Sequence, residues 1–238
     1  MGQTQLKEKV CIKTRKVFDW VTRQVDVPLK SFSNADLEAI FPETTCPTQG
    51  QTICDFFTSN GFNADDFTIR CFLTDEAGNK IDPVVDNNAL ICQEIIQPYG
   101  RQPVQVTLPT GDKVTLQRVK VLVKGHVVVQ ILNGMGNVVC QSAPIPFATA
   151  QTFILCAPEG TMLECHISFF ECDASLVCTE NFAQLDVSIT LCLEVQIEAD
   201  VKIEVEARIC KPREEISEAS VCPIDKFPPQ CPEVFPAR

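Results

Sequence analysis

The sequence predicts an all-β protein, and three observations support that class. Apolar and polar residues alternate strictly along one 25-residue run toward the C-terminal end of the chain. Turn-forming residues separate several further β-branched runs at intervals of about eight to twelve residues. Little of the chain has helical spacing. We therefore expect a two-sheet β-sandwich of jelly-roll or immunoglobulin-like type.

The long alternating run covers residues 185–209, where every odd position is apolar. An extended chain of this length would reach about 80 Å, whereas a compact chain of 238 residues is roughly 45 Å across. The run must therefore bend, divide into two strands or extend beyond its own domain, and a bent strand that crosses from one sheet to the other is favoured. The odd residues should face the core. Those taken as a candidate assembly strand are Leu185, Val187, Ile189, Val195, Ile197, Val201 and Ile203.

Four segments are expected along the chain. Residues 1–30 form a basic, extended N-terminal arm or connector, and residues 31–66 form short helices and loops that pack on the body. Residues 67–210 form the sandwich. Residues 211–238 contain six prolines and two cysteines and should run as an extended tail. Trp20, the only tryptophan, is expected to pack against the body.

The helix and strand boundaries follow from capping and turn chemistry. Ser33-Asn34-Ala35-Asp36 predicts a capped helix that ends at Pro42, and a second short helix is expected near Asp55. Gly125 interrupts a valine-rich run, where a bend or bulge is plausible. The expected strands before the long run are Phe67–Leu73, Val84–Ile96, Val104–Leu108, Val114–Leu116, Val119–Leu132, Val138–Cys140, Phe153–Cys156 and Met162–Phe170.

The charge distribution limits the possible partners. The net charge is −11, which argues against nucleic acid because phosphate binding needs clustered cations. Residues 1–30 nevertheless hold seven Lys or Arg against three acidic residues. Such a basic segment either docks on the acidic body of a neighbouring copy or stays a solvated tail. No apolar run approaches the ~20 residues of a membrane span, so no membrane partner is expected.

Fourteen cysteines are spread over the whole chain, which suggests disulfide bonds. The first residues lack the apolar stretch of a signal peptide, so we expect either synthesis in a cytosol with later oxidation or release by a route other than secretion. The candidates for disulfides between chains are cysteines in segments that have no hydrophobic core to bury them, or cysteines on the polar face of a strand. These are Cys11, Cys192, Cys222 and Cys231. Cysteines inside strand patterns are expected to be buried or internally bridged, and they are Cys71, Cys92, Cys140, Cys156 and Cys165.

No motif for catalysis, metal binding or a cofactor is recognisable. The two histidines, His126 and His166, lie in strand patterns beside apolar residues. Cys165 is adjacent to His166, and neighbours on a strand point to opposite faces, which excludes that pair as a catalytic dyad. The closest cysteine spacing, from Cys172 to Cys178, is wider than the two to four residues typical of zinc ligands. We expect no catalytic residues, no metal and no cofactor.

The chain resembles the cysteine-rich spore-surface proteins of Bacillus-type spore formers, which include exosporium, coat and endospore-appendage proteins. The similar segments are the opening KVCIKTRKVFDWVTRQVDVPL, the hairpin-like FILCAPEGTMLECHI and the ending CPIDKFPPQCPEVFPAR. The resemblance implies synthesis in the mother-cell cytosol, deposition on the spore surface and cross-linking afterwards. In appendage subunits an N-terminal connector carries a cysteine that bonds to the next copy, and Cys11 is similarly placed.

The leading hypothesis is therefore a structural, self-assembling spore-surface protein whose partners are further copies of itself and other spore-surface or appendage proteins. The length and the Pro-rich tail favour a lattice, linking or anchoring role over that of a main fibre subunit. The alternative is a β-sandwich binding module for a carbohydrate or a protein ligand, which would need exposed aromatic residues. An enzyme is the third hypothesis.

Overall fold

A computed structural model describes residues 8–46, 48–59, 67–83, 90–179 and 182–207. In this part of the chain the protein is all-β, with two antiparallel sheets and two short helices. The helices are α1 (Ala35–Ile40) and α2 (Ile53–Ser59). The strands are β1 (Glu8–Ser33), β2 (Thr68–Thr74), β3 (Ile91–Glu94), β4 (Gln102–Thr107), β5 (Lys113–Leu132), β6 (Val138–Gln141), β7 (Ile145–Leu155), β8 (Met162–Thr179) and β9 (Phe182–Ala207).

The six-stranded sheet is organised around β5. Three short strands, β4, β3 and β2, pair in turn with successive parts of β5, and β7 and β6 also pair with it. The two runs expected at Val114–Leu116 and Val119–Leu132 are a single strand, since alternation continues from one to the other. Val119, Val121 and Val123 are fully buried on its inner face. β5 is therefore the one strand with which every other strand of this sheet pairs.

The other sheet has the order β1-β9-β8, and all three strands are long. The register of β8 and β9 runs from Met162 opposite Glu198 to Thr179 opposite Phe182, with one irregularity between Ile167 and Phe169. The long alternating run is an unbroken strand of this sheet. The expectation that it crosses to the other sheet is therefore wrong. Its polar face is satisfied by ion pairs and hydrogen bonds to β1, so nothing forces it to leave the sheet.

The N-terminal segment differs from the expected arm because Glu8–Ser33 is strand β1 of this sheet. Val25 and Val27 are buried in the core, and Phe18, Val21 and Phe32 pack against it. The alternating apolar residues of this segment give it a buried face, which the count of its charges concealed.

Both sheets contribute to one hydrophobic core. From the three-stranded sheet, the odd residues of β9 from Leu185 to Ile197 are buried, as the alternation predicts. From the six-stranded sheet, Phe153 and Leu155 of β7 are buried with the valines of β5. At about 25 cal/mol per Å² of apolar surface, this shared core is the main stabilising term of the fold.

The two helices cover part of the core with apolar residues, one from α1 and two, Ile53 and Phe57, from α2. Leu37 of α1 and Ile53 of α2 are fully buried. Asn34 precedes α1 as expected, but its side chain makes no cap to the helix; it accepts a hydrogen bond from the Ala183 N–H of β9 at 3.3 Å. Among the described residues, no helix combines the length and the apolar character needed to cross a membrane.

Gly125, in β5, does not form the expected bulge. The pairing of β5 with β7 continues through Gly125 opposite Phe147 without a shift in register. A Cβ atom at this position would lie 2.2 Å from Cδ2 of Leu90 and 3.1 Å from Cζ of Phe147. The sequence has glycine here because two apolar side chains occupy the space of its missing side chain.

The chain divides into two compact units. The larger unit, residues 13–201, contains both helices, the hydrophobic core and the disulfides. The smaller unit contains residues 1–12 and 202–238, of which residues 8–12 and 202–207 are described. Strand β9, Phe182–Ala207, has residues in both units. The expected tail, residues 211–238, lies outside the described residues.

Candidate functional site

Cysteine is the most informative functional residue type in this fold. Among the described residues, eight cysteines form disulfides within the chain, and three of these bonds end on β8. Two of the bonds join β8 to strands β2 and β3 of the other sheet, and a third joins it to α2. The bonds are Cys46–Cys140, Cys54–Cys178, Cys71–Cys172 and Cys92–Cys165. The expectation of internal bridges is thus confirmed for Cys71, Cys92, Cys140 and Cys165.

Three cysteines of the described residues are free thiols, namely Cys11, Cys156 and Cys192. Cys11 is exposed on β1. Cys192 is half-buried on the polar face of β9, between the buried Leu191 and Leu193, and it lies opposite Phe169 of β8. Cys222 and Cys231 of the expected tail lie outside the described residues.

Cys156 was expected to be buried or bridged, and this expectation is wrong. It is exposed and unpaired directly after β7. Phe153 and Leu155 point into the core, so the intervening Ile154 and the following Cys156 point outward. The N–H of Cys156 donates a hydrogen bond to Oδ2 of Asp19 at 2.8 Å, which fixes the backbone at this thiol. The alternation along β7 is the sequence signal that could have identified this residue as exposed.

The candidate assembly strand is divided between the core and the surface. Leu185, Val187, Ile189, Val195 and Ile197 are occupied by contacts within the chain's own core. Val201 is half-buried at the end of the larger unit, and Ile203 of the smaller unit is exposed. Of the seven candidates, these last two retain apolar surface that a partner chain can cover.

In the smaller unit, the described parts of β1 and β9 hold one ion pair and exposed apolar residues. Nζ of Lys9 lies 2.7 Å from Oε1 of Glu204, and this hydrogen bond raises the pKa of the lysine above its ordinary value. Ile12 and Ile203 are both exposed. This unit thus presents a charged pair and apolar side chains within a few residues of Cys11.

In the larger unit, the polar face of the three-stranded sheet carries a network of charges. Nη1 of Arg15 lies 2.8 Å from Oε1 of Glu198 and 3.3 Å from Oε2 of Glu164. Glu198 is buried, so Arg15 neutralises a carboxylate that water does not reach. Lys13 lies 2.6 Å from Oδ2 of Asp200, and this hydrogen bond lowers the pKa of the aspartate below its ordinary value. The network aligns β1 with β9.

The aromatic residues are more exposed than the sequence suggested. Trp20 is 64% exposed, so the expectation that it packs against the body is wrong. Asp19, the residue before it, accepts a hydrogen bond from the N–H of Cys156, and Val21, the residue after it, packs against the core. Tyr99, the only tyrosine of the chain, is 90% exposed.

A cleft of about 610 Å³ lies between two loops of the larger unit. One loop joins β3 to β4 and includes Tyr99; the other, residues 157–161, joins β7 to β8. Arg101 connects the loops. Its guanidinium donates to both carboxylate oxygens of Glu94 at 2.8 and 2.7 Å, and to the Thr161 hydroxyl at 2.6 Å. Because bidentate pairs are rigid, this arginine holds the cleft in shape.

A second cavity of about 550 Å³ lies where β2 ends beside β5. Lys30, Lys124 and His126 line it together with Thr74. The Thr74 hydroxyl is buried and has no hydrogen-bond partner among the described residues. The adjacent turn is closed by Asp75, whose pKa is lowered below its ordinary value by hydrogen bonds from Asn79.

The two histidines lie on different sheets of the larger unit. Nε2 of His166 lies 3.3 Å from Oε1 of Glu164 on the polar face of β8, and the adjacent Cys165 is bonded to Cys92. His126 lines the second cavity opposite Thr74. Within the described residues, no group of three or more His, Cys, Asp or Glu side chains is arranged to hold a metal ion.

Comparisons with known proteins do not place this chain in a family. No family model, curated protein or solved structure matches it.

Proposed function

We propose that this chain is a structural protein that assembles into disulfide-linked multimers. One observation carries the proposal: within the described residues, eight cysteines are paired inside the chain, and the three that remain lie at or near its surface. The internal bonds close the body without consuming Cys11, Cys156 or Cys192. These thiols are therefore left for bonds to other chains.

Each bond between chains needs an oxidant, which we take to be a small-molecule disulfide. The thiolate of one chain attacks it, and a thiolate of the second chain then displaces the small molecule. The products are one protein disulfide and two small-molecule thiols, so electrons and protons balance. Cys11 is exposed on β1, so its thiol is accessible to the oxidant and to a second chain.

The spore surface is our proposed location, and the resemblance of the three cysteine-containing segments to spore-surface proteins supports it. On this proposal the chain is made in the mother-cell cytosol and deposited on the exosporium or coat. Its partners are further copies of itself and other spore-surface or appendage proteins. We also propose that the two sheets form a sandwich of jelly-roll or immunoglobulin-like type, which the shared core and the bonds between the sheets support.

The test is detergent-resistant assembly with and without reductant. Purified protein boiled in detergent without reductant should migrate as high-mass species, which collapse to the monomer once reductant is added. The triple variant Cys11→Ser, Cys156→Ser, Cys192→Ser should lose most of these species, whereas the matched control Met135→Ala, at an exposed hairpin tip, should not. A wild-type protein that is monomeric under both conditions contradicts the proposal.

The contribution of the N-terminal segment is tested separately. Cys11→Ser should reduce the detergent-resistant species more than deletion of residues 1–7, which precede β1. The reason is that only the substitution removes a thiol. If Cys11→Ser assembles as well as the wild type, Cys11 is not a bonding residue, and the surface thiols at Cys156 and Cys192 remain to be tested one by one.

A binding module is the second candidate function, and the exposure of two aromatic residues favours it. Trp20 and Tyr99 present their rings to solvent, as residues that stack on sugars do. If this function is the correct one, the monomer should bind a polysaccharide or a protein ligand, and Trp20→Ala or Tyr99→Ala should abolish that binding. Unchanged binding in both variants would exclude these aromatics as the site.

A further inference from the structure

The cleft at Tyr99 is a preformed groove with an uncovered apolar rim. Arg101 fixes both walls through Glu94 and Thr161, and its Nη1 also donates to the Ala157 carbonyl at 3.3 Å. On the rim, Tyr99 is 90% exposed and Ile96 is 91% exposed. Large apolar side chains that project beside a rigid groove are typical of sites that bind another protein segment.

The chemistry of the groove selects the kind of segment. Pro103 and Pro158 line the groove together with the ring of Tyr99. Grooves lined by aromatic residues bind proline-rich segments in the polyproline II conformation, because such segments are already extended and lose little entropy on binding. A proline-rich ligand thus fits this surface better than a helix, which would need a long apolar trough.

The chain itself contains such a segment. Thirty-one residues follow Ala207, the last described residue, and the densest proline cluster among them is Phe227-Pro228-Pro229-Gln230-Cys231-Pro232. Lys226 precedes this cluster, and Glu159 lines the groove with a carboxylate that Arg101 does not contact. The charges of the segment and the groove are therefore complementary at this point.

We propose that the groove binds residues 226–232 from a second copy of this chain, and that Cys156 then forms a disulfide with Cys231 of that copy. This inference rests on the proposed function. Cys156 is exposed and adjoins Ala157, which lines the groove. The oxidant is again a small-molecule disulfide, which is reduced to two thiols while the two protein thiols form one bond.

The test mixes two isotopic forms of the full chain. Protein labelled with ¹⁴N and protein labelled with ¹⁵N are combined before oxidation, and the multimers are digested without reductant and analysed by mass spectrometry. We expect a Cys156–Cys231 peptide pair that contains one light and one heavy partner. Ile96→Ser with Tyr99→Ala should lower its yield about tenfold, because the variant removes the apolar rim. The matched control Met135→Ala should leave the yield unchanged.

A competition experiment gives a second measurement that does not depend on a variant. An excess of a synthetic peptide with the sequence of residues 221–238, with serine at both cysteine positions, should slow formation of the mixed-isotope pair. A peptide with the same composition in scrambled order serves as the control.

The outcomes separate the inference from the proposed function. Multimers without a Cys156–Cys231 pair overturn the inference and leave the proposed function intact. If no pair combines a light and a heavy partner, each chain binds its own tail, which also overturns the inference. A groove variant or a competing peptide that leaves the yield of mixed-isotope pairs unchanged overturns it too. A groove that binds polysaccharide at Tyr99 in place of the peptide also overturns the inference. Absence of any disulfide-linked multimer overturns the proposed function itself.

Discussion

The cysteines on the two faces of the three-stranded sheet differ in whether they form a disulfide within the chain. On the inner face, Cys165 and Cys172 of β8 bond to cysteines of the other sheet. On the outer face, Cys192 of the adjacent strand keeps a free thiol. Since successive residues of a strand point to opposite faces, one step along the chain decides whether a cysteine meets a partner in its own molecule. Inner cysteines stabilise the body, and outer ones are available to other chains.

The largest expected effect is the loss of an inner bond. Replacing Cys71 and Cys172 by alanine removes a cross-link between residues 101 positions apart, and chain-entropy arguments value a loop of that length at about 4–5 kcal/mol of unfolding free energy. Denaturant unfolding followed by circular dichroism measures the change. The matched surface variant Cys156→Ser should shift the free energy by less than about 0.5 kcal/mol. Equal losses in both variants would remove the distinction between inner and outer cysteines.

The next effect tests how tightly the inner face is packed. Gly125→Ala should destabilise the fold by about 1–3 kcal/mol, because the new methyl group would overlap Cδ2 of Leu90. In a Leu90→Ala background the same substitution should cost less, since the overlapping atom is gone. A double-mutant cycle of unfolding free energies gives this comparison. An identical cost in both backgrounds would show that Leu90 is not the cause.

Gly125 also shows where sequence reasoning ends. Alternation alone placed the odd residues of β9 from Leu185 to Ile197 in the core correctly. It could not distinguish a bulge from a close approach, because Leu90 and Phe147 come from segments far apart along the chain. Patterns within one strand predict which face is buried; the identity of the neighbour across the core depends on topology.

The cysteines show the same limit. The alternation of β7 placed Cys156 outside, yet its position in a strand suggested burial. The partners of the bridged cysteines lie at sequence separations from 73 to 124 residues, which no local pattern can specify. The cleft at Tyr99 was not predicted for a similar reason. Its walls come from two loops that Arg101 joins across 60 residues of sequence.

On the outer face, one ion pair includes a buried carboxylate, that of Glu198. Arg15→Gln should lower the unfolding free energy by about 1.5 kcal/mol, because Glu198 loses its charged partner and remains shielded from water. Adding Glu198→Gln should recover part of the loss, since the double variant has no buried charge to solvate. Denaturant unfolding at neutral pH measures both variants. A double variant that is less stable than Arg15→Gln would contradict this account.

The smallest effect concerns Lys13 and Asp200, a pair exposed to solvent on the same outer face. The hydrogen bond from Lys13 lowers the pKa of Asp200 in the folded state relative to the unfolded chain. The pair therefore contributes stability above the unfolded pKa of the aspartate, and this contribution is lost as the pH falls through the lower, folded value. At neutral pH the wild type should be slightly more stable than Lys13→Gln. This difference in stability should vanish in strong acid. At neutral pH, concentrated salt should reduce the difference, because it screens the charges. Unfolding midpoints of the two proteins across pH and salt test this, with Lys113→Gln, at the start of β5, as the matched control for removing one lysine. If the difference persists in acid, Lys13 stabilises β1 through its aliphatic chain, and the outer face depends on packing more than on charge.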